Sequence, residues 1–498
     1  MTSAMTRTIL QQPYLPPSAQ TQRALTSIEA IAAIQQGRLA ASDYLATLLA
    51  HAQAMSGLNA LTALDVQGAL AAARRIDALP ADARAQLPLA GLPIVVKDNI
   101  NTRGLPNTAG TPALEHFIPR DNAPSVQRLL DAGAIVLGKA NMHELAFGIT
   151  STNLAPHAGP VRNPYDPSRI PGGSSGGTAA AIAARIVPAG LGTDTGGSTR
   201  IPAALTGIAG FRPSVGNGGA SRRYHDPNAV VPISHTRDTV GPMARSVADI
   251  ALLDQVITDS APLVTLDLRG LRVGLPSPLW EGLEPEVEAV ARAALLRLQA
   301  AGVDWVDMAM PDLLDINSHI GAPLALHESV DDLPAWLDAN EAPVRTVADI
   351  AARIASPDVR DMYQAVLADE AADQYEEAMT VWRPRLQQYY ATAFATHRVD
   401  ALLFPTTRLA AVPLDEVNGS STVSIQGAEA VSTFEAFLRN TDPASNAGLP
   451  GLSLPAGLTP QGLPVGIELD GPEGSDRRLL AIGLAFEQVL GLLAAPRP

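Results

Sequence analysis

The chain has 498 residues, 46% hydrophobic and 17% charged, which is enough apolar material for one large enzyme domain or two to three ordinary domains. Its formal net charge of -15 argues against a nucleic-acid-binding surface, which requires clustered Lys and Arg. The chain contains no cysteine, which excludes disulfides, thiolate metal sites and a cysteine nucleophile.

The first residues of the chain predict a flexible arm. Over residues 1–20, Pro13, Pro16 and Pro17 oppose regular structure. No long apolar run follows Arg7, so we predict no secretory signal, and no apolar run elsewhere is long enough to cross a membrane. We therefore expect a cytoplasmic protein that does not bind membranes.

Helices are predicted to follow over residues 25–77. Thr26 and Glu29 form a capping-box pattern, and apolar residues then recur at helical spacing up to Gly37. A second helix is expected to begin with Ser42 as its cap, and a third to cover about residues 65–77.

From about residue 88 the pattern changes to an alternation of strands and helices. Strands are predicted near 92–97, 134–137, 188–192, 271–274, 303–307, 400–404, 451–454 and 464–469, and helices near 125–132, 177–186, 286–301 and 476–490. Such alternation indicates an α/β fold with a large, mixed central sheet that helices cover on both faces. The segment at about 310–395 is predicted to be mostly helical and to form an insertion or lid.

Lysine is rare in this sequence. Of the 35 Lys and Arg residues, only Lys97 and Lys139 are lysines. Arginine stays protonated in proteins, whereas a buried lysine can become neutral, so a retained lysine is favoured where a neutral amine is needed. Chance retention is the alternative for either lysine considered alone.

Two clusters of glycine and serine flank an alanine-rich predicted helix and a short strand, at residues 172–177 and 195–199. Glycines in such clusters allow close backbone approach. The N–H groups of Thr195, Gly196, Gly197 and Ser198 could converge on an oxyanion, as acyl transfer requires. The alternative is a pair of glycine-rich turns that only help packing, but two clusters together with Lys97 on an upstream strand favour catalysis.

Other chemistries fit less well. Neither cluster has the Gly-Lys-Ser/Thr ending of a phosphate-binding loop. Residues 172–176 match the G-x-S-x-G elbow, but the three prolines in 163–171 exclude the strand that must precede it. The nine histidines are scattered without an HExxH motif, and the pair His143-Glu144 is interpreted as structural rather than as a ligand site.

Residues 172–212 resemble the signature of the amidase signature family, and residues 91–99, 138–148 and 446–455 resemble its flanking blocks. The resemblance covers about residues 25–495. It implies the amidase-signature fold in a single domain at 21–498, with a catalytic α/β core at about 88–310 and 398–495. It also implies an enzyme that needs no metal and no cofactor.

The resemblance assigns a role to each motif residue by position. It identifies Lys97 as the base, Ser174 as the bridging serine and Ser198 as the nucleophile. Oxyanion donors fall on Thr195, Gly196, Gly197 and Ser198, and supporting positions on Ser175, Asp194 and Arg200. The chemistry is consistent with this, because a serine hydroxyl needs a base and because desolvation on a buried strand makes an amine neutral.

Several stretches resemble mandelamide and indoleacetamide hydrolases within that family, namely 101–102, 109–116, 172–184, 231–243 and 463–471. This resemblance implies a small, aryl-substituted carboxamide that is cleaved to an acid and ammonia. Residues expected to line the acyl pocket, or alternatively to be plain core residues, are Phe147, Gly148, Ile149 and Ile201.

Two other functions remain open. One is a urethanase or aryl acylamidase that acts on carbamates or anilides, because the acyl-enzyme chemistry is nearly the same. The other is the amidase subunit of a tRNA-dependent amidotransferase, although the tyrosine-rich segment typical of that group is not evident. We expect a small-molecule amide as the only binding partner, and a monomer or homodimer.

Overall fold

The computed structural model describes residues 18–264, 266–425 and 429–496. Most of the predicted N-terminal arm, residues 1–17, lies outside these residues, and a helix at Ala19–Ala24 takes in the last two positions of the predicted arm. Within the described ranges, no helix is both long and apolar enough to cross a membrane.

The strands form one large sheet and one small hairpin. In chain order they are β1 Leu61–Leu64, β2 Pro93–Lys97, β3 Ile135–Ala140, β4 Ala189–Asp194, β5 Ala209–Arg212, β6 Thr239–Ala244, β7 Arg272–Pro276, β8 Asp304–Met308, β9 Ala401–Pro405, β10 Thr422–Ser424, β11 Ala430–Ser432, β12 Gly451–Leu458 and β13 Pro464–Asp470. The hairpin consists of β10 and β11, and the other strands all belong to the sheet.

The sheet has 11 strands in the order β1-β3-β2-β4-β6-β5-β12-β13-β9-β7-β8. Strand β2 runs parallel to β3 and to β4, and β7 runs parallel to β8 and to β9. The other pairings, including β4 with β6 and β12 with β13, are antiparallel. The predicted mixed sheet is confirmed.

Nineteen α-helices lie within the described residues. They are α1 Ala19–Ala24, α2 Ser27–Gln35, α3 Ala41–Ala54, α4 Val66–Asp77, α5 Ala81–Ala85, α6 Pro124–Asp131, α7 Gly176–Ala183, α8 Arg200–Thr206, α9 Val247–Thr258, α10 Pro285–Ala300, α11 Leu313–Ser318, α12 Gly321–Ala339, α13 Val347–Ala351, α14 Pro357–Ala368, α15 Ala372–Glu377, α16 Arg383–His397, α17 Thr433–Leu438, α18 Asp442–Ala447 and α19 Asp476–Leu490. Those between β8 and β9, α11 to α16, occupy the segment that the sequence predicts to be helical.

Helices cover both faces of the sheet, as alternate residues of β2 show. Ile94 and Val96 pack in an apolar core that includes Leu253 of α9 and Leu480 of α19. The intervening Val95 packs in a second core, with side chains of α2, α3 and α7. Because successive side chains of a strand point to opposite faces, β2 is buried from both sides. This burial places Lys97, at the end of β2, in a dry environment.

The structure differs from the sequence predictions at several element boundaries. The capping box of Thr26 and Glu29 is present at the start of α2. Ser42 does not cap α3, which begins at Ala41; the carboxylate of Asp77 accepts the N–H groups of Ala41 and Ser42 instead. This cap comes from another helix, so the local sequence does not indicate it.

Candidate active site

The predicted catalytic residues lie on three separate segments of the chain. A hydrogen bond joins Lys97 to Ser174, and a backbone hydrogen bond joins the loop of Ser174 to the loop of Ser198. Lys97 is the last residue of β2, and Ser174 lies two residues before α7. Ser198 lies in the short connection between β4 and α8. Since β2 and β4 are parallel neighbours, their carboxyl ends lie at the same edge of the sheet. The loop after β4 is therefore placed beside Lys97.

Lys97 is fully buried between two hydroxyl groups. Its Nζ donates to Oγ of Ser174 at 2.7 Å and to Oγ1 of Thr193 at 2.6 Å. Burial lowers the pKa of Lys97 to about 7, although the charges of Asp194 and Asp238 oppose this shift. A substantial fraction of the amine is therefore neutral near neutral pH and can accept a proton.

The two serine-containing loops are joined by direct backbone contacts. The N–H of Ser175 donates to the carbonyl oxygen of Ser198 at 3.2 Å. Oγ of Ser175 donates to the Thr193 carbonyl at 3.1 Å and accepts the Thr193 N–H at 3.2 Å. The peptide bond between Gly173 and Ser174 is cis. Ser198 is nearly buried, with 6% of its surface exposed, and Ser174 is fully buried.

The predicted oxyanion donors have free N–H groups. Within the described part of the chain, the amides of Thr195, Gly196, Gly197 and Ser198 donate to no protein acceptor. Gly197 has φ +150, and a Cβ at this position would lie 2.3 Å from Oγ1 of Thr441. A side chain would therefore displace the loop, and glycine keeps these amides available to a ligand.

A buried ion-pair network holds the loop between β4 and α8. Asp194 Oδ1 lies 2.9 Å from Nη2 of Arg200 and 3.0 Å from Nη1 of Arg212, and Asp194 Oδ2 accepts the N–H of Thr199 at 3.1 Å. Burial disfavours the charged carboxylate, but the two guanidinium groups outweigh it and hold the pKa of Asp194 below its usual range. Arg200 also contacts Glu468 Oε1 at 2.5 Å. The network ties both ends of the loop to α8 and β13.

Three of the four predicted pocket residues fall into two apolar groups. Ile149 and Ile201 belong to one cluster, together with Phe437 and Leu438 of α17. The ring of Phe147 packs edge-on against Tyr363 of α14, with centroids 5.3 Å apart. Gly148 has no room for a side chain, because a Cβ there would lie 2.1 Å from the imidazole of His143.

The pair His143-Glu144 connects the helical segment between β8 and β9 to the site. The Glu144 carboxylate accepts the N–H of Ser356 at 2.8 Å, and Nε2 of His143 lies 3.0 Å from Asp358 Oδ2. The backbone N–H of His143 donates to the Ser174 carbonyl at 3.1 Å. These contacts agree with the structural interpretation of the pair.

Sequence reasoning missed three side chains near Lys97. Thr193 accepts from Lys97, Asn99 donates to Thr193 Oγ1 at 3.2 Å, and Arg212 pairs with Asp194. Arg212 lies inside the signature run and Asn99 ends the block of residues 91–99, so motif position alone could have indicated both. The contact of Thr193 depends on how β2 and β4 pair, which is not readable from local patterns.

In chemical terms, the arrangement provides a neutral amine, a bridging hydroxyl, a second serine and a row of free amides. These are the parts that serine-based acyl transfer requires, namely a base for the nucleophile and donors for the oxyanion.

Comparison with known proteins agrees with this geometry. The model of the amidase family matches residues 43–480 of the chain. An indoleacetamide hydrolase from Agrobacterium vitis is 44% identical over 468 residues, covering 92% of this chain and 97% of that protein. A mandelamide hydrolase from Pseudomonas putida is 42% identical over 485 residues, covering 94% and 92%.

Solved structures show the same fold. A crystal structure of an amidase has a TM-score of 0.81 at 33% identity, covering 94% of this chain and 100% of that one. The peptide amidase PAM in complex with the inhibitor chymostatin has a TM-score of 0.79 at 29% identity, covering 95% and 99%. The chain belongs to the amidase family and is an amide-hydrolysing enzyme.

Proposed function

We propose that the protein hydrolyses small aryl-substituted carboxamides to the acid and ammonia through a serine acyl-enzyme, with Ser198 as nucleophile, Ser174 as proton bridge and Lys97 as base. The observation that carries this proposal is the buried hydrogen bond of 2.7 Å between Lys97 and Ser174. This bond joins the proposed base to the proposed proton bridge. The carbonyl oxygen of Ser198 accepts a hydrogen bond from the N–H of Ser175, the residue after Ser174.

In the proposed acylation step, neutral Lys97 takes the proton of Ser174 while Ser174 takes the proton of Ser198. The Ser198 oxygen attacks the amide carbon, and the carbonyl oxygen gains negative charge beside the free amides of residues 195–198. The proton then returns through Ser174 to the leaving nitrogen, the C–N bond breaks and ammonia departs. Water then attacks the ester of the acyl-enzyme, and its proton is transferred by the same residues. This step releases the acid and restores the Ser198 hydroxyl.

The aryl preference is supported by two kinds of observation. The relatives at 42–44% identity are named for indoleacetamide and mandelamide, both of which carry an aromatic ring. The side chains of Ile149 and Ile201 belong to an apolar cluster, and Ile201 lies three residues after Ser198. An acyl group that reaches this cluster would contact apolar side chains, which favours an apolar acyl group through burial of its surface.

A substrate panel tests this function. Indoleacetamide, mandelamide, an anilide, a phenyl carbamate and glutamine are each incubated with pure enzyme, and ammonia and amine release are measured. We expect the highest kcat/KM for the two arylacetamide-type amides, with no release by Ser198→Ala enzyme. A higher kcat/KM for the carbamate or anilide would replace this proposal by the urethanase or aryl acylamidase alternative.

Glutamine tests the remaining alternative. A solved component of the glutamyl-tRNA(Gln) amidotransferase from Thermotoga maritima has a TM-score of 0.69 at 25% identity to this chain, covering 97% of each, so the fold alone does not separate the two functions. We expect no glutaminase activity, because the relatives of higher identity are hydrolases of aryl-substituted amides.

We further infer that the enzyme acts in the cytoplasm as a monomer or homodimer and binds no nucleic acid. The net charge of -15 supports the last point, because phosphates repel an acidic surface. Light scattering during gel filtration measures the molar mass of the assembly. An oligomer larger than a dimer would contradict the inferred monomer or homodimer.

A further inference from the structure

The second lysine of the chain is buried as completely as the first. Lys139 lies in β3 with none of its surface exposed. Its Nζ donates to the carbonyl oxygen of Ile100 at 2.6 Å and lies 3.9 Å from Oδ1 of Asp98, which is also fully buried. Nothing in the proposed reaction uses this ion pair, although Asp98 directly follows Lys97.

Sheet register shows that Lys139 does not reach the serines. In the parallel pairing of β2 with β3, Lys139 lies opposite Val96, and Lys97 lies opposite Ala140. Adjacent residues of a strand point to opposite faces, so the side chains of Lys97 and Lys139 leave the sheet on opposite sides. Lys139 therefore acts on the reaction only through other residues.

Those residues form the turn that follows Lys97. The N–H of Ile100 donates to the Lys97 carbonyl at 3.0 Å, and Lys139 binds the carbonyl of the same Ile100. Asn99, in the middle of this turn, donates to Oγ1 of Thr193, which in turn accepts from Lys97. Through Asn99, the turn thus contacts one of the two hydroxyl partners of Lys97.

Hydrogen bonds from neighbouring segments also hold Asp98 in place. Its Oδ2 accepts the Thr108 hydroxyl at 2.5 Å, and its N–H donates to the Ala140 carbonyl at 3.0 Å. The ammonium of Lys139 faces this carboxylate, so the pair is close to neutral as a unit.

We propose that Lys139 and Asp98 are a positioning pair that holds the turn after Lys97 and thereby aligns the catalytic base. The proposal rests on the proposed role of Lys97 as that base. It also accounts for the lysine at position 139 in a chain with 33 arginines. The compact ammonium of lysine binds a carbonyl and a carboxylate within a closed space, whereas the guanidinium of arginine is planar and has a different shape.

The test is the pH profile of kcat/KM in Lys139→Met enzyme. Without the ammonium, the turn loosens, water approaches Lys97, and the Asp98 charge is no longer compensated. All of these favour protonated Lys97. We expect kcat/KM to fall roughly ten- to a hundredfold, as for misplaced catalytic groups, and the acid limb of the profile to move to higher pH. A limb that stays in place, or a kcat/KM within twofold of the unmodified enzyme, overturns the proposal.

Arg223→Met is the matched control. It removes another largely buried ion pair, in which Arg223 lies 2.6 Å from Asp254 of α9 and 3.8 Å from Asp476 of α19. We expect it to lower the melting temperature without moving the acid limb. If Arg223→Met moves the limb as far as Lys139→Met does, the effect is a general loss of packing and the positioning role is wrong.

The double variant Lys139→Met/Asp98→Asn covers the case in which Lys139→Met does not fold. Replacing both charges avoids an unpaired buried carboxylate, so the double variant is expected to fold. It still lacks the bond to the Ile100 carbonyl, so kcat/KM is expected to stay well below that of the unmodified enzyme. Full activity in the folded double variant overturns the proposal.

Lys97→Met separates this inference from the proposed function. If Lys97→Met retains activity, the base assignment fails and with it the positioning role. If Lys97→Met is inactive but Lys139→Met behaves like the unmodified enzyme, only the positioning pair is wrong.

Discussion

Nζ of Lys97 lies 2.6 Å from Oγ1 of Thr193, on the adjacent parallel strand, as well as within hydrogen-bond distance of Ser174. A neutral amine has two N–H donors and one lone pair. The protonated amine donates to both hydroxyl groups; in the neutral amine, with one N–H bound to Thr193, the lone pair can point at the Ser174 hydroxyl instead. Thr193 therefore acts as an orienting partner of the proposed base.

Thr193→Val tests this orienting contact, because valine keeps the shape of threonine but accepts no hydrogen bond. Loss of a bond to an ionisable group corresponds to roughly ten- to a hundredfold in kcat/KM. Thr193→Ser, which keeps the hydroxyl, is the control and should remain close to the unmodified enzyme. Equal activity of the valine and serine variants would show that the contact does not matter.

The pH dependence of the reaction follows from the state of Lys97. Burial lowers its pKa to about 7, and only the neutral amine accepts a proton. We therefore expect kcat/KM to rise with pH through about 7 and then to level off, as measured by initial ammonia release in overlapping buffers. A profile that falls between pH 6 and 8 would contradict a neutral lysine base.

Lys97→Met is expected to be inactive and yet more stable. Between about 7 and the ordinary value of 10.5, the unfolded chain binds a proton at Lys97 that the folded chain does not, so this group makes the free energy of unfolding rise with pH across that window. At pH values below about 7, both the folded and the unfolded chain bind this proton, and the destabilising effect of Lys97 is at its largest. Urea unfolding at pH 7 should give a larger free energy of unfolding for Lys97→Met, and a smaller one would count against a buried, neutral amine.

Gly197→Ala is expected to damage the oxyanion loop. The φ of +150 and the approach of 2.3 Å to Thr441 Oγ1 leave no room for a methyl group, so the free amides must move. Loss of one oxyanion donor lowers kcat about 10²- to 10³-fold. Gly462→Ala is the control, since Gly462 also has a positive φ, of +84, but has no atom near its Cβ position. A normal kcat for Gly197→Ala would remove these amides from the mechanism.

Arg200→Met is expected to destabilise the fold, because it leaves the buried carboxylates of Asp194 and Glu468 without this partner. Breaking a buried pair in this way costs about 3–5 kcal/mol. Arg269→Met, which removes an exposed pair with Asp267, should leave the free energy of unfolding nearly unchanged. Similar values for the two variants in urea unfolding would contradict the network.

The sequence predicted the parts of this protein that have local signatures. The strand ending at Lys97, the helix after Ser174 and the capping box at Thr26 have periodic or motif patterns. The predicted α/β class and mixed sheet were confirmed because helices and strands alternate along much of the chain.

Other features depend on contacts between distant segments. Strand β5 forms the end of the signature and β6 follows it; because they contain glycine, and β6 also proline, their strand patterns are weak. The contact between Lys97 and Thr193 requires the register of β2 against β4, and the ion pair of Lys139 requires that of β2 against β3. The roles assigned to the catalytic residues remain predictions, which the variants described above test.

The most direct test of the central claim is the site of covalent labelling by a fluorophosphonate, which reacts with an activated serine. The labelled enzyme is digested and the modified residue is identified by mass spectrometry. We predict a single modification on Ser198, faster above pH 7 than below, and none in the Ser198→Ala variant. Modification of a different residue, or undiminished labelling of Ser198→Ala, would contradict the account.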